Sequence, residues 1–170
     1  MINAILCGAS GKMGGFVASA AKEDGNIKIV AGVDKINNGE VFPVFSAFSD
    51  INTKADIIID FSHTSMLDGL LDYAVKNKIP AVIATTGYDD GQIEKIKQAS
   101  KEIPVFFTFN MSIGVNLVAS LAKKAAAVLG DSFDIEIVEM HHNQKIDAPS
   151  GTAIMLANAV NSVFGDTLNY

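Results

Sequence analysis

Chemistry is most concentrated between Glu139 and Thr152. There two adjacent imidazoles, His141 and His142, precede one amine, Lys145, and a Ser150-Gly151-Thr152 triplet. A histidine titrates near neutral pH and can pass a proton to a reacting carbon, while a lysine ammonium holds or protonates an anion. Pro149 breaks any helix. Ser150-Gly151-Thr152 then has the form of a capped helix start, whose first N–H groups lack intrahelical partners and suit a carboxylate or phosphate. Together these residues predict acid–base chemistry on an anionic substrate. A metal reading of Glu139, His141 and His142 is weaker, because neighbouring strand residues point to opposite faces and no distant third histidine or thiol completes a set. His63 is too generic to assign and is expected to be solvated or to cap a helix.

A second group of residues binds rather than reacts. Gly8-Ala9-Ser10-Gly11-Lys12-Met13-Gly14 follows the apolar run Ile2–Cys7, and Asp34-Lys35 closes a second apolar run from Ile27 to Val33. Strand, glycine loop, helix and strand within some thirty residues is the context a dinucleotide fingerprint requires. Gly8 permits the tight turn, Gly11 lets backbone approach a pyrophosphate, and Gly14 allows the helix to pack closely on the sheet. The spacing is Gly-x-x-Gly-x-x-Gly rather than the commoner Gly-x-Gly-x-x-Gly. Asp34 strengthens it, lying about 20 residues beyond Gly14, where a carboxylate can accept from a ribose hydroxyl. Lys35 beside it is placed for a 2′-phosphate, so the pair predicts tolerance of both NADH and NADPH.

These residues need a scaffold. Met13, Phe16, Val17 and Ala20 predict a helix from about Lys12 to Glu23. Residues 35–55 read as a loop with at most a short strand. Asp56–Phe61 is an apolar strand of the kind covered on both faces, followed by a helix from about Ser65 to Asn77 with Met66, Leu70, Tyr73 and Ala74 inward. Pro80–Gly87 is a fourth strand and its loop, and Asp89 and Gln92 form a capping box for a helix ending near Ser100. A fifth strand starts at Pro104-Val105. Alternating strands and helices predict an α/β fold, a Rossmann-like, doubly wound parallel sheet, over residues 1–112. From Gly114 to Leu129 an Ala-rich helix is expected to be buried between domains. Period-two alternation from Asp134 to Met140 predicts a half-buried strand delivering the histidines, and a helix follows from Thr152 to Val163. Residues 113–170 thus read as the start of an α+β substrate-binding domain. One strand and one helix are too few for a sheet, so the second domain is expected to be C-terminally incomplete.

Composition narrows the partners. The chain has 170 residues, 49% of them hydrophobic, and a net charge of −6, which argues against nucleic acid or anionic membrane. No apolar run reaches membrane-spanning length, and the single cysteine, Cys7, reads as a buried small hydrophobe that fits a reducing cytoplasm.

The glycine loop, Asp34, Ala84-Thr85-Thr86-Gly87 and the run Glu139-Met140-His141-His142-Asn143-Gln144-Lys145-Ile146-Asp147-Ala148-Pro149-Ser150-Gly151-Thr152-Ala153 together resemble the 4-hydroxy-tetrahydrodipicolinate reductase family. The resemblance covers the whole chain, and the segment from Glu139 to Ala153 is its most specific part. It implies an NADH- or NADPH-dependent reductase of lysine and diaminopimelate biosynthesis, acting on a dicarboxylate and assembling as a homotetramer when the chain is complete. It implies that Gly8, Ala9, Ser10, Gly11, Lys12 and Met13 contact the diphosphate, Asp34 the adenosine ribose and Lys35 the 2′-phosphate. Ala84, Thr85, Thr86, Thr108, Phe109, Asn110 and Met111 are implied to line the nicotinamide. His141 is implied as the catalytic proton donor and acceptor, Lys145 as a proton donor, and His142, Gly151 and Thr152 as ligands of the substrate carboxylates. Lys12 and Lys35 stand where many relatives have Arg, and Met111 where many have Phe. The lysines keep charge but lose bidentate geometry, which leaves cofactor preference open. Two competing readings are a different two-domain dehydrogenase and a non-catalytic nicotinamide-nucleotide-binding module.

Overall fold

Six short strands build the first unit, and each owes its place to an apolar run with a turn signal at its end. The computed structural model describes residues 1–108, 110–143, 145 and 148–168, with the backbone alone for Asp131. The chain forms two compact units, Met1–Phe109 and Asn110–Tyr170.

In the first unit the strands are β1 (Ile2–Cys7), β2 (Ile27–Val33), β3 (Val44–Phe45), β4 (Ile57–Asp60), β5 (Ala81–Ile83) and β6 (Val105–Phe107). They form one parallel sheet in the order β3-β2-β1-β4-β5-β6. Strand order reverses between β1 and β4, and ligands of such sheets bind beyond the carboxyl ends of the strands at that point. Cys7 and Asp60 are register partners there. Ile5, Ile58 and Ile83 are fully buried, and Leu67, Leu70 and Ala74 of a flanking helix close the core over them. Such near-continuous Ile/Val/Ala runs are stable only when both faces are covered.

The helices of this unit are α1 (Lys12–Asp24), α2 (Leu67–Asn77) and α3 (Asp90–Ala99). A 3₁₀ turn over Thr64–Met66 leads into α2, and His63 caps it by accepting the Ser65 amide on Nδ1 at 3.1 Å. The α3 box is formed on both sides. Asp89 Oδ1 accepts from the Gln92 amide at 2.8 Å, and Gln92 Oε1 accepts from the Asp89 amide at 3.2 Å. On α1 the inward line differs from expectation. Gly14 and Ala21 are buried with Val17 partly so, whereas Met13 and Phe16 are exposed. The residue of closest approach is a glycine, which carries no hydrophobic signal, so the apolar pattern pointed one position away.

The second unit holds α4 (Ile113–Leu129) and α5 (Gly151–Asn161), which pack on each other. Ser112 caps α4 by accepting from the Val115 amide at 3.3 Å. Only Ala119 and Ala126 of α4 are buried, while Ile113, Leu117, Val118 and Leu121 are exposed, so the expected burial of this helix is not met within its unit. Asp134–Met140 is not a ladder strand, because no neighbouring segment among the described residues pairs with it. Every residue from Asp134 to Met140 is exposed, so the expected half-burial is not met, and the alternation survives only in part, because Asp134 lines the same side as Ile135. Phe133, Ile135, Ile137 and Glu139 line one concavity with Ala153, Ile154 and Ala157 of α5, whereas Val138 and Met140 are almost fully exposed.

Candidate active site

Within the first unit the glycine loop is built as the dinucleotide reading requires. Gly8 has φ +76°, a left-handed conformation, and a Cβ there meets the Phe61 backbone. A Cβ on Gly14 strikes the Gly8 carbonyl oxygen and comes within 2.6 Å of the Ala9 oxygen, so only glycine lets α1 lie this close to the loop. Gly11 caps α1 without any side-chain hydrogen bond, and the first turn has no acidic residue. A helix start with uncapped amides and Lys12 beside it is a cradle for phosphate.

Asp34 is tied to this loop directly. Its Oδ2 accepts from the Ser10 amide at 3.0 Å, and its Oδ1 accepts from the Lys35 amide at 2.7 Å. A carboxylate has about four acceptor sites, so lone pairs remain for a ribose hydroxyl. Sequence reasoning missed the strap that follows. Ser10 Oγ donates to the Ile36 oxygen at 2.7 Å, and Asn38 Nδ2 donates to the Ser10 oxygen at 3.1 Å. The Asn37-Asn38-Gly39 turn was its only signal.

Next to the switch point lies a buried polar cluster that the sequence marked only in part. Asp60, with no exposed surface, accepts from Ser62 N at 3.1 Å, Ser62 Oγ at 2.5 Å and the Tyr88 hydroxyl at 3.2 Å. Burial, then the Asp60 charge, pushes the Tyr88 hydroxyl far above its ordinary range. Burial, then the charges of Asp60 and Asp34, does the same to the Cys7 thiol, which fits an inert core residue. The Asp60–Tyr88 contact fastens the far end of the loop that holds Ala84, Thr85 and Thr86. Ala84 N donates to the Asp60 oxygen at 2.9 Å, and Thr108 N donates to the Ile83 oxygen at 3.2 Å, so the carboxyl ends of β4, β5 and β6 meet. Thr85 is buried, and its Oγ1 makes no hydrogen bond of ordinary geometry, although it is near enough to Tyr88 to influence that hydroxyl. A buried hydroxyl left in this way keeps unused hydrogen-bonding capacity. Phe109 lies outside the described residues.

Within the second unit Asn110 and Thr152, expected in different roles, are in contact, with Asn110 Nδ2 3.3 Å from Thr152 Oγ1. Asn110 is itself held by Ser112 N on its Oδ1 at 2.7 Å and by Asn116 Nδ2 on its carbonyl at 3.1 Å. Met111 is exposed. Ser150 caps α5, its Oγ accepting from the Ala153 amide at 3.1 Å, so Gly151 and Thr152 form the first turn. The side chain that meets His141 is Glu139, with Oε2 2.9 Å from Nε2. The Lys145 amide donates to the His142 oxygen at 3.2 Å. Gln144, Ile146 and Asp147 of the same loop lie outside the described residues. Glu139 also accepts from Ser150 N and Oγ, and these bonds, with His141, pull its carboxyl down to about 2.

A parallel sheet with this strand order, a glycine loop at its switch point and an acid just beyond β2 mark a dinucleotide-binding protein of the Rossmann type. The family profiles for "Dihydrodipicolinate reductase, N-terminus" and "Dihydrodipicolinate reductase, C-terminus" match residues 2–111 and 114–167. The 4-hydroxy-tetrahydrodipicolinate reductase of Caldanaerobacter subterraneus subsp. tengcongensis is 49% identical over 170 residues, spanning 100% of this chain and 67% of that protein. The chain therefore belongs to the dihydrodipicolinate reductase family, whose members reduce 4-hydroxy-tetrahydrodipicolinate with NAD(P)H on the route to lysine. Among solved structures, the dipicolinate-bound dihydrodipicolinate reductase of Paenisporosarcina sp. TG-14 is 30% identical with a TM-score of 0.77, covering 96% of this chain and 66% of that one. The myo-inositol 2-dehydrogenase of Lactobacillus plantarum, 15% identical with a TM-score of 0.58 over 74% of this chain and 42% of that one, shares the fold alone. The chain spans about two thirds of the length of the reductases it matches. No helix among the described residues is long and apolar enough to cross a membrane.

Proposed function

We propose that residues 1–112 bind NADH or NADPH and that residues 113–170 begin the domain that binds the dicarboxylate substrate and protonates it. The observation that carries this reading is the second unit's own arrangement. His141 sits on a carboxylate that also holds the N-cap of α5, and Gly151 and Thr152 lie in that helix's first turn. A bound nicotinamide supplies the hydride, and everything else falls to the chain.

Gly8, Ala9, Ser10, Gly11, Lys12 and Met13 hold the diphosphate by backbone amides and one ammonium. Asp34 takes the adenosine ribose and Lys35 a 2′-phosphate. Lys35 offers that phosphate a single ammonium and not a bidentate fork, and we assign the chain acceptance of both cofactors. Ala84, Thr85, Thr86, Thr108, Phe109, Asn110 and Met111 line the nicotinamide, with the Thr85 hydroxyl offered to the carboxamide. His142, Gly151 and Thr152 hold the substrate carboxylates. The imidazole of His141 passes the proton to the carbon next to the reduced one, and the Lys145 ammonium stabilises the charge that develops and donates a proton. The family and the single buried cysteine support a cytoplasmic setting, and the exposed apolar side chains of α4 support assembly into a homotetramer.

The test is turnover of 4-hydroxy-tetrahydrodipicolinate by H141Q and K145A variants. Each is expected to lose about 10²-fold or more in kcat. Near-normal turnover by both variants overturns the assigned roles.

A further inference from the structure

Glu139 belongs to none of the roles above, yet its carboxylate makes three hydrogen bonds to two residues, His141 and Ser150. Oε2 lies 2.9 Å from His141 Nε2, Ser150 Oγ donates to the same oxygen at 2.5 Å, and Ser150 N donates to Oε1 at 2.8 Å. The bonds to Ser150 close an eleven-residue span that contains His142 and Lys145. Ser150 is 4% exposed and passes the chain of bonds on to Ala153 of α5.

We propose that Glu139 is a positioning residue that holds His141 in its Nε2–H tautomer, turning Nδ1 toward the substrate, and that it fastens this ring to the start of α5. The inference deepens the function assigned above, since it presumes that the His141 ring carries the proton. Its logic is one of donors and acceptors. An ionised carboxylate only accepts, and Glu139, held far below the ordinary carboxylate range, is ionised wherever the enzyme works. The ring nitrogen facing it must therefore carry hydrogen. In the neutral ring the other nitrogen then has the free lone pair, and in the cation it has the proton available for transfer. Tautomer and ring orientation are thus set by the partner of the non-reacting nitrogen. The other titratable groups of this segment are His142, Lys145 and Asp147, the last of which lies outside the described residues. Helix α5 has no titratable side chain from Gly151 to Asn161, and α4 contributes Lys123 and Lys124.

Replacing Glu139 with Gln separates geometry from hydrogen-bond polarity. The Ser150 amide can only donate, so the Gln oxygen must face it, which places the Gln NH₂ at the former Oε2 position. That NH₂ donates to Ser150 Oγ and to His141 Nε2, and the ring can then receive it only as the Nδ1–H tautomer. The shape is kept and the proton moves to the opposite nitrogen. In a comparable carboxylate–imidazole pair, the wrong tautomer costs about 10⁴ in kcat with geometry preserved.

The experiment is long-range ¹H–¹⁵N correlation of the imidazole rings in the ¹⁵N-labelled chain, at a pH where the rings are neutral, with His141 assigned by its loss in H141Q. The expected result is an Nε2–H pattern in the wild type, an Nδ1–H pattern in E139Q with the α5 amide signals in place, and Nε2–H retained in S150A. An E139Q ring that stays Nε2–H, a wild-type ring that is Nδ1–H, or a tautomer that changes in S150A overturns the proposal. Kinetics supply the second readout. E139Q is expected to lose kcat about 10²-fold or more with little change in KM, whereas S150A is expected to act mainly on KM. If H141Q proves fully active while the tautomer still follows residue 139, the assigned role of His141 fails and the positioning inference stands.

Discussion

The adjacent glycines of α1, Gly14 and Gly15, give the sharpest test of how the dinucleotide cradle is built, because the same substitution should act in opposite directions one residue apart. Both lie inside the helix, where Gly→Ala gains up to about 1 kcal/mol from backbone entropy. At Gly15 an added Cβ meets nothing within 4 Å, so that gain should appear in full. At Gly14 the Cβ meets the Gly8 and Ala9 carbonyl oxygens, which belong to the loop backbone and cannot rotate away as a flexible side-chain tip would. Ala9 O sits at 2.6 Å and Gly8 O nearer still, whereas ordinary contacts lie at 3.4 Å or beyond, so helix and loop must separate by at least roughly 0.8 Å. Overpacking of this kind costs about 1–3 kcal/mol, which outweighs the helical gain. The same displacement spreads the amides that are to grip a diphosphate. G15A should raise the melting temperature of the first unit by about 4–8 °C and leave NADH affinity unchanged, whereas G14A should lower it and weaken NADH binding at least tenfold. Thermal unfolding with a fluorescence titration of NADH reads both. A G14A protein as stable and as tight-binding as G15A would refute the close approach of α1 to the loop.

Two further outcomes follow from the polar clusters. In Y88F the buried Asp60 loses one of its three donors, which should cost about 1.5–3 kcal/mol and loosen the Thr85–Thr86 loop; chemical denaturation checks it, and a change below about 0.5 kcal/mol would remove Tyr88 from the framework. The second concerns acid. The Glu139 carboxyl is depressed when folded, to about 2, so the clasp is fully present above the ordinary carboxylate range and is lost only as pH falls through about 2. The Ala153 amide shift should report that midpoint, and one near 4.5 would contradict the bonds assigned to Glu139.

Much of the first unit was legible because its signals are local. Apolar runs of strand length, Asp89 with Gln92 and the spacing of Gly8, Gly11 and Gly14 each fix a structure within a few residues. The resemblance carried by the run from Glu139 to Ala153 pointed to the family that the profile matches bear out. What escaped the sequence depends on pairs distant along the chain. Tyr88 meets Asp60 across 28 residues, and Asn38 meets Ser10 across 28, and neither pair has a spacing rule. The inward face of α1 was misplaced because closest packing selects the smallest residue, Gly14, over the most apolar. The strand expected from Asp134 to Met140 is met only in that Phe133, Ile135 and Ile137 share one side; Asp134 joins them, the segment is exposed, and a strand also requires a partner. Glu139 was seen as part of a motif, and its role became visible only when Ser150 folded back onto it.

This chain should take a reduced nicotinamide dinucleotide and a planar dicarboxylate together. Calorimetric titration of NADH and NADPH, each with and without pyridine-2,6-dicarboxylate, tests it most directly. Both nucleotides should bind, the dicarboxylate should bind more tightly once either is present, and H141A should weaken the dicarboxylate while sparing the nucleotide. Nucleotide binding with no dicarboxylate binding at any concentration, or dicarboxylate binding indifferent to His141, would contradict it.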